Sequence, residues 1–161
     1  MKKICIIAVL CLFFANIVCE AKKDAGYGQS YEIEGAGTAT QGDYLVTVSV
    51  VSKSKKVSDE ELRRAAVHGV LFRGFSNTDR RQSQKPLAGS AADEARHIHF
   101  YSEFFGDNGT AANYAVLVPG SRAIKKSDKK YRVSATVTVH KESLLRHLES
   151  AGVVKGLNDA F

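Results

Sequence analysis

A helix start written into residues 57–62 constrains this chain more than any other stretch. Ser58 stands three residues before Glu61, so its hydroxyl can accept from the Glu61 amide while the Glu61 carboxylate reaches back to the Ser58 amide, the reciprocal arrangement of a capping box. Val57 just outside and Leu62 four residues in can close over that start as a hydrophobic staple, and Asp59 and Glu60 place negative charge at the positive end of the helix dipole. Beyond the cap, Leu62, Ala65, Ala66, Gly69 and Val70 form one stripe that Val67 and Leu71 widen, so the second half of the stretch 57–75 is apolar nearly all round. Such a helix is buried, and its small residues let it lie close on a sheet.

The sheet is predicted from alternation. Over 44–52, Tyr44, Val46, Val48 and Val50 point one way and Leu45, Thr47, Ser49 and Val51 the other. Over 131–140, Tyr131, Val133, Ala135, Val137 and Val139 point inward while Arg132, Ser134, Thr136 and Thr138 face water, which implies a sheet solvated on one side. A glycine-interrupted strand is expected over 31–39, with Gly35 and Gly37 marking a bulge or a close backbone contact, and another over 113–118, stopped by Pro119-Gly120. A second helix, 91–105, starts at Gly89-Ser90 with Asp93 three residues on and carries Ile98, Tyr101 and Phe105 beside Phe100 and Phe104. A third, 141–151, carries Leu144, Leu145 and Leu148 and ends at Gly152-Val153 as a Schellman motif would, after which Leu157 and Phe161 are expected to fold back. The polar stretch 76–90 reads as a long loop, and 121–130 as a charged connection. Strand, strand, capped helix occurs twice, in 31–75 and 113–152. The expected fold is therefore α+β: a two-layer sandwich in ββα-αββα order, with a mainly antiparallel four-stranded sheet and about three helices on one face.

Ahead of this lies a basic Met1-Lys2-Lys3, an apolar run over 4–18 broken only by Asn16, and small residues before position 22. A run of about 15 apolar residues is short of the roughly 20 that a bilayer span needs and fits a secretory signal peptide over 1–21. Cleavage after Ala21 is the expected processing, with lipidation of Cys19 as the alternative; Asn16-Ile17-Val18 is a poor lead-in for lipidation. Residues 22–30 read as a flexible lead and 31–161 as a single domain. Cys5, Cys11 and Cys19 all lie within 1–21, so the exported chain would have no disulfide, thiol nucleophile or cysteine ligand and must stand on its apolar core. Removing 1–21 leaves a net charge of +5, compatible with attraction to anionic envelope polymers and with an ordinary wet surface.

An export signal, Glu32-Ile-Glu-Gly-Ala-Gly37, a valine-rich strand, Arg63-Arg64-Ala65-Ala66 in a helix and a late Val-Ser-Ala-Thr-Val-Thr-Val strand together resemble uncharacterised secreted proteins of gut Bacteroidetes. More distantly the pattern is similar to small domains of outer-membrane lipoproteins and of flagellar-assembly or curli-secretion type proteins. The resemblance implies a periplasmic or extracellular, non-enzymatic role, with outer-membrane anchoring if Cys19 is lipidated.

No marked catalytic constellation contradicts that expectation. His97, His99 and Glu103 supply two helix-spaced ligands at best (His99 with Glu103, or His97 with Asp93), short of the three or four a zinc site needs. His68 reads as a hydrogen-bonded histidine at the edge of the core, and His140 and His147 as surface or cap residues. Glu32 and Glu34 share a strand face without a general-acid environment, no Gly-x-Ser-x-Gly elbow is present, and basic residues without an aromatic platform argue against nucleic acid. The expected role is a non-catalytic exported module that binds another envelope protein, in secretion or surface assembly, with no cofactor. Its partner- or anion-binding surfaces would be the sheet face around Arg132 and Thr136 and the loop bearing Arg80, Arg81 and Lys85, whose cations precede the helix N-terminus at Ser90 and with it could form an anion site. The alternative is a small-ligand or metal module sited between the 76–90 loop and the 91–105 helix.

Overall fold

The structure, a computed structural model, describes residues 30–154 except Thr38, Gln41 and 78–81. The leader 1–21 with Cys19, most of the lead 22–30, Arg80 and Arg81, and the expected return of Leu157 and Phe161 lie outside the described residues.

The first hairpin joins β1 (Tyr31–Gly35) to β2 (Tyr44–Ser52) in antiparallel register, Tyr31 opposite Val50 and Gly35 opposite Val46. The chain then enters α1 (Asp59–Phe72) through the capping box expected from its sequence: the Glu61 amide donates to Ser58 Oγ at 3.0 Å and the Ser58 amide to Glu61 Oε2 at 2.7 Å. Every residue of α1 from Ala65 to Phe72 is buried, because the sheet covers one side of the helix while Glu94, Tyr101 and Phe105 pack on another. Gly69 makes that approach possible, since a Cβ there would sit 2.6 Å from Ile33 Cδ1. The helix stops where the Arg73 and Gly74 amides both turn back to the Gly69 carbonyl and Gly74 takes φ +68°.

The stretch 76–90 is not the open loop its polarity suggested. Phe75–Asn77 (β3) and Gln82–Gln84 (β4) pair antiparallel as a short edge hairpin, and β3 meets β1 in parallel at Gly35 opposite Asn77. Short polar strands are how sheets blunt an edge, and they carry no apolar alternation to read. The 91–105 helix is likewise two, α2 (Ala91–Arg96) and α3 (Ile98–Phe104), divided where His97 leaves helical geometry at φ −112°, ψ 31°. The break lets Glu94 reach into the core while Tyr101, Phe104 and Phe105 pack farther along it. A 3-10 turn (Ala111–Tyr114) then takes up the first two residues of the strand expected over 113–118, leaving β5 as Ala115–Leu117.

The connection expected over 121–130 instead contains β6 (Ala123–Ser127), which forms a hairpin with β7 (Lys130–Val139). The ten-residue β7 pairs β6 along its first half and β5 along its last, so β5 and β6 make one interrupted edge strand. At the interruption the Ser121 hydroxyl donates to the Val118 carbonyl (2.7 Å) and accepts from the Thr136 amide (3.0 Å), standing in for the missing ladder. The final helix α4 (Lys141–Ser150) ends as predicted in a Schellman motif, with Val153 N–H on the Leu148 carbonyl and Gly152 N–H on that of Glu149.

The α+β class is thus correct, and all but one of the strand pairings are antiparallel, but among the described residues the sheet is mixed and seven-stranded, ordered β4-β3-β1-β2-β7-β5 with β6 also on β7, and there are four α-helices. Its centre is the antiparallel β2–β7 pair, in which Val46, Val48 and Val50 lie beside Val137, Ala135 and Val133. These side chains, with those of α1, α3 and α4, form one core.

Candidate functional site

The same alternation that buries one face of the sheet leaves the other to solvent. Opposite the valines, β2 presents Thr47 and Ser49 and β7 presents Ser134, Thr136 and Thr138, all half-buried. The register places Ser49 against Ser134 and Thr47 against Thr136, whose hydroxyls lie 3.5 Å apart. The result is a flat band of short hydroxyl side chains. On β5, Val116 stands opposite Thr138 and is 54 % exposed, the most open large apolar side chain among the described residues. Across the band Arg132 reaches over β2 to a bidentate ion pair with Glu32 of β1. The hydrogen bond from Arg132 holds the Glu32 carboxyl below its ordinary range. Glu34, exposed on the same face, adds an acidic margin.

Beneath the opposite face lies the strongest buried polar feature. His68 on α1 is wholly buried and bonded at both ring nitrogens: Tyr31 Oη lies 2.5 Å from Nδ1 and Glu94 Oε1 3.0 Å from Nε2. An ionised Glu94 can only accept from Nε2–H, and in a neutral ring Nδ1 then accepts from the Tyr31 hydroxyl. Arg73 lies over the Tyr31 ring, 4.0 Å from its centroid, and donates to the Tyr31 carbonyl at 2.6 Å. Phe72 and Phe105 close on the imidazole with ring centroids 5.2 and 5.1 Å away. Oε2 of Glu94 is buried without a hydrogen-bond partner among the described residues. Burial, reinforced by Glu94 and Asp93, pushes the Tyr101 hydroxyl up to about 12. The chain joins β1, α1 and α2 through the middle of the protein, and with Tyr31 3 % exposed and His68 and Glu94 at 0 % it offers nothing to a molecule in solution.

His68 is therefore central to the core, not at its edge. Glu94 was missed because it follows Asp93 in a helix start, where carboxylates ordinarily face water. Its signal was its place four, seven and eleven residues before Ile98, Tyr101 and Phe105, on their apolar stripe.

The other sequence candidates are dispersed. His99 and Glu103 are exposed on α3 and His97 sits half-buried at the helix break, while among the described residues no three His, Cys, Asp or Glu side chains converge as a metal site would require. A groove of about 840 Å³ does lie between residues 86–89, α2 and the end of α4, lined by Asp93, Arg96 and His97 but by neither His99 nor Glu103. The α2 N-terminus, a candidate anion site, is occupied by its own Asp93, whose Oδ2 accepts from the Ser90 amide at 2.8 Å. Lys85 lies by Tyr44 and Lys141, at the far end of the sheet from Arg132. His140 stands at the N-cap of α4, as the cap reading has it, and its ring pairs with Asp43 at 3.0 Å, while half-buried His147 stacks on Phe104. Arg63 and Arg64 donate to the carbonyls of Ala112, Phe105 and Gly106, tying the end of α3 and the 3-10 turn to α1.

The chain matches no protein-family model, and neither a curated protein nor a solved structure matches it at a significant level.

Proposed function

We propose that this chain is a non-catalytic exported protein of the cell envelope that binds another protein through the uncovered face of its sheet. The observation that carries the reading is the hydroxyl band itself. Thr47, Ser49, Ser134, Thr136 and Thr138 form a flat surface with an apolar contact at Val116 and a charged margin at Glu32, Arg132 and Glu34. A flat surface with an apolar spot, short polar side chains and a charged rim suits a protein partner better than a small ligand, which needs a concave site. The closed Tyr31–His68–Glu94 chain fits the same reading, since these buried groups link β1, α1 and α2 and are shut off from solvent.

A photo-crosslinking residue at Thr136, with the same residue at exposed Ser143 on α4 as the control, tests this in the producing cell. A discrete adduct from position 136 only, lost when Thr47→Arg is added, is expected. Equal adducts from both positions, or none from 136, would contradict the reading.

A further inference from the structure

At one end of the sheet, cations from two distant segments come together. The β6–β7 hairpin carries four lysines within residues 125–130, and the connector from β2 to α1 carries three within 53–56. The register sets Ser52 opposite Tyr131 and Val51 opposite Arg132, so the connector leaves β2 beside the hairpin turn. All seven lysines are exposed. The nearby carboxylates are largely committed: Glu32 to Arg132, Asp59 to Arg122, and Glu61 to the Ser58 cap, leaving Glu60 and Asp128 to offset the lysines. Ile124, 48 % exposed, adds an apolar side chain to the same hairpin.

A second observation says what this end faces. The Ser30 carbonyl accepts from the Val51 amide at 3.3 Å, so the chain preceding β1 departs from the lysine-rich end, not from the end bearing Tyr44 and Val139. Eight residues earlier come Lys22 and Lys23, and before them the apolar run over 4–18. The direction in which residue 30 leaves the sheet, toward the end that carries the excess positive charge, is also the side on which Lys22 and Lys23 follow and on which a lipid on Cys19 would be attached.

We infer that this lysine-rich end docks on an anionic phospholipid surface. The Lys clusters at 53–56 and 125–130 sit over the head groups, Ile124 dips toward the interface, and the sheet stands on end with its hydroxyl face free for a partner. Lysines near such a surface each contribute on the order of 1 kcal/mol and lose that contribution as salt screens them. The inference does not depend on the identity of the sheet-face partner.

Among the described residues the buried core runs from Tyr31 to Leu148, so a chain starting at Lys22 keeps that core and lacks the apolar run that would bind lipid by itself. That chain should sediment with vesicles containing phosphatidylglycerol, stay in solution with phosphatidylcholine alone, and be released by added salt. Replacing Lys53, Lys129 and Lys130 by Gln should weaken vesicle binding by roughly a hundredfold. The same charge removed outside both clusters, by Lys85→Gln, Lys141→Gln and Arg146→Gln, should leave binding near the wild-type level. Equal weakening by both triple variants would reduce the effect to net charge and overturn the inference. Indifference to lipid charge, or binding to soluble polyphosphate or DNA without binding to vesicles, would overturn it too.

Discussion

His68→Leu should lower the free energy of unfolding by about 3–5 kcal/mol, measured by urea denaturation. The substitution keeps the helix and most of the volume but removes the ring that links three elements. It leaves the Tyr31 hydroxyl without its histidine partner and Glu94 with neither oxygen bonded, since Oε2 already has no partner among the described residues. Buried polar groups stripped of partners cost far more than the net value of the bonds they made. Against a typical domain stability of about 5–15 kcal/mol such a loss brings the protein near its unfolding threshold. The cost should be reversible by removing the polarity altogether. Tyr31→Phe and Glu94→Met added to His68→Leu replace the chain by apolar groups of similar size, and the triple variant should recover most of the stability lost by the single one. Additive losses across the three positions would show that the residues do not act as a unit.

Gly74→Val should cost about 3 kcal/mol, read in the same denaturation experiment. Two effects combine at this position. Its φ of +68° disfavours any side chain, and a Cβ would overlap the carbonyl oxygen of Gln84 and approach Pro86 Cδ to 3.1 Å. The backbone of β4 would have to move, and with it the Phe75–Gln84 pair that joins β4 to β3. Gly120 separates the two contributions: its φ is +74°, but nothing lies within 4 Å of its Cβ direction, so the same change there, Gly120→Val, should cost only about 1–2 kcal/mol. Similar losses at both positions would mean that conformation alone, and not the close packing of α1 against β4, decides the effect.

What could be read in advance follows a physical division. The α1 cap, the alternation of β2 and β7 and the end of α4 are local devices whose residues act on their own neighbours, and each appears in the structure where its residues stand. The elements that escaped notice are those whose reason is elsewhere in the chain. Gln82–Gln84 and Ala123–Ser127 are strands only because β3 and β7 offer them a ladder; polar and lysine-rich, they have no face of their own to bury. Glu94 is buried only because His68, 26 residues earlier, waits for it. The candidate surface divides in the same way. Arg132 and Thr136 stand on the open face their alternation implied, Lys85 is carried to the opposite end by an edge hairpin that polarity concealed, and the lysines of 53–56 and 125–130 meet only through the β2–β7 register.

One face of the sheet is sealed by helices, and the function proposed for the chain requires the other to be open. Thiol labelling of a chain starting at Lys22, which has no cysteine of its own, tests it at two adjacent positions of β7. Cysteine at Thr136 should react with a soluble maleimide as an exposed thiol does. Cysteine at Ala135, 1 % exposed and aimed at the core, should react only through unfolding, slower by about a thousandfold or more. Comparable rates at the two positions, whether both fast or both slow, would contradict the account.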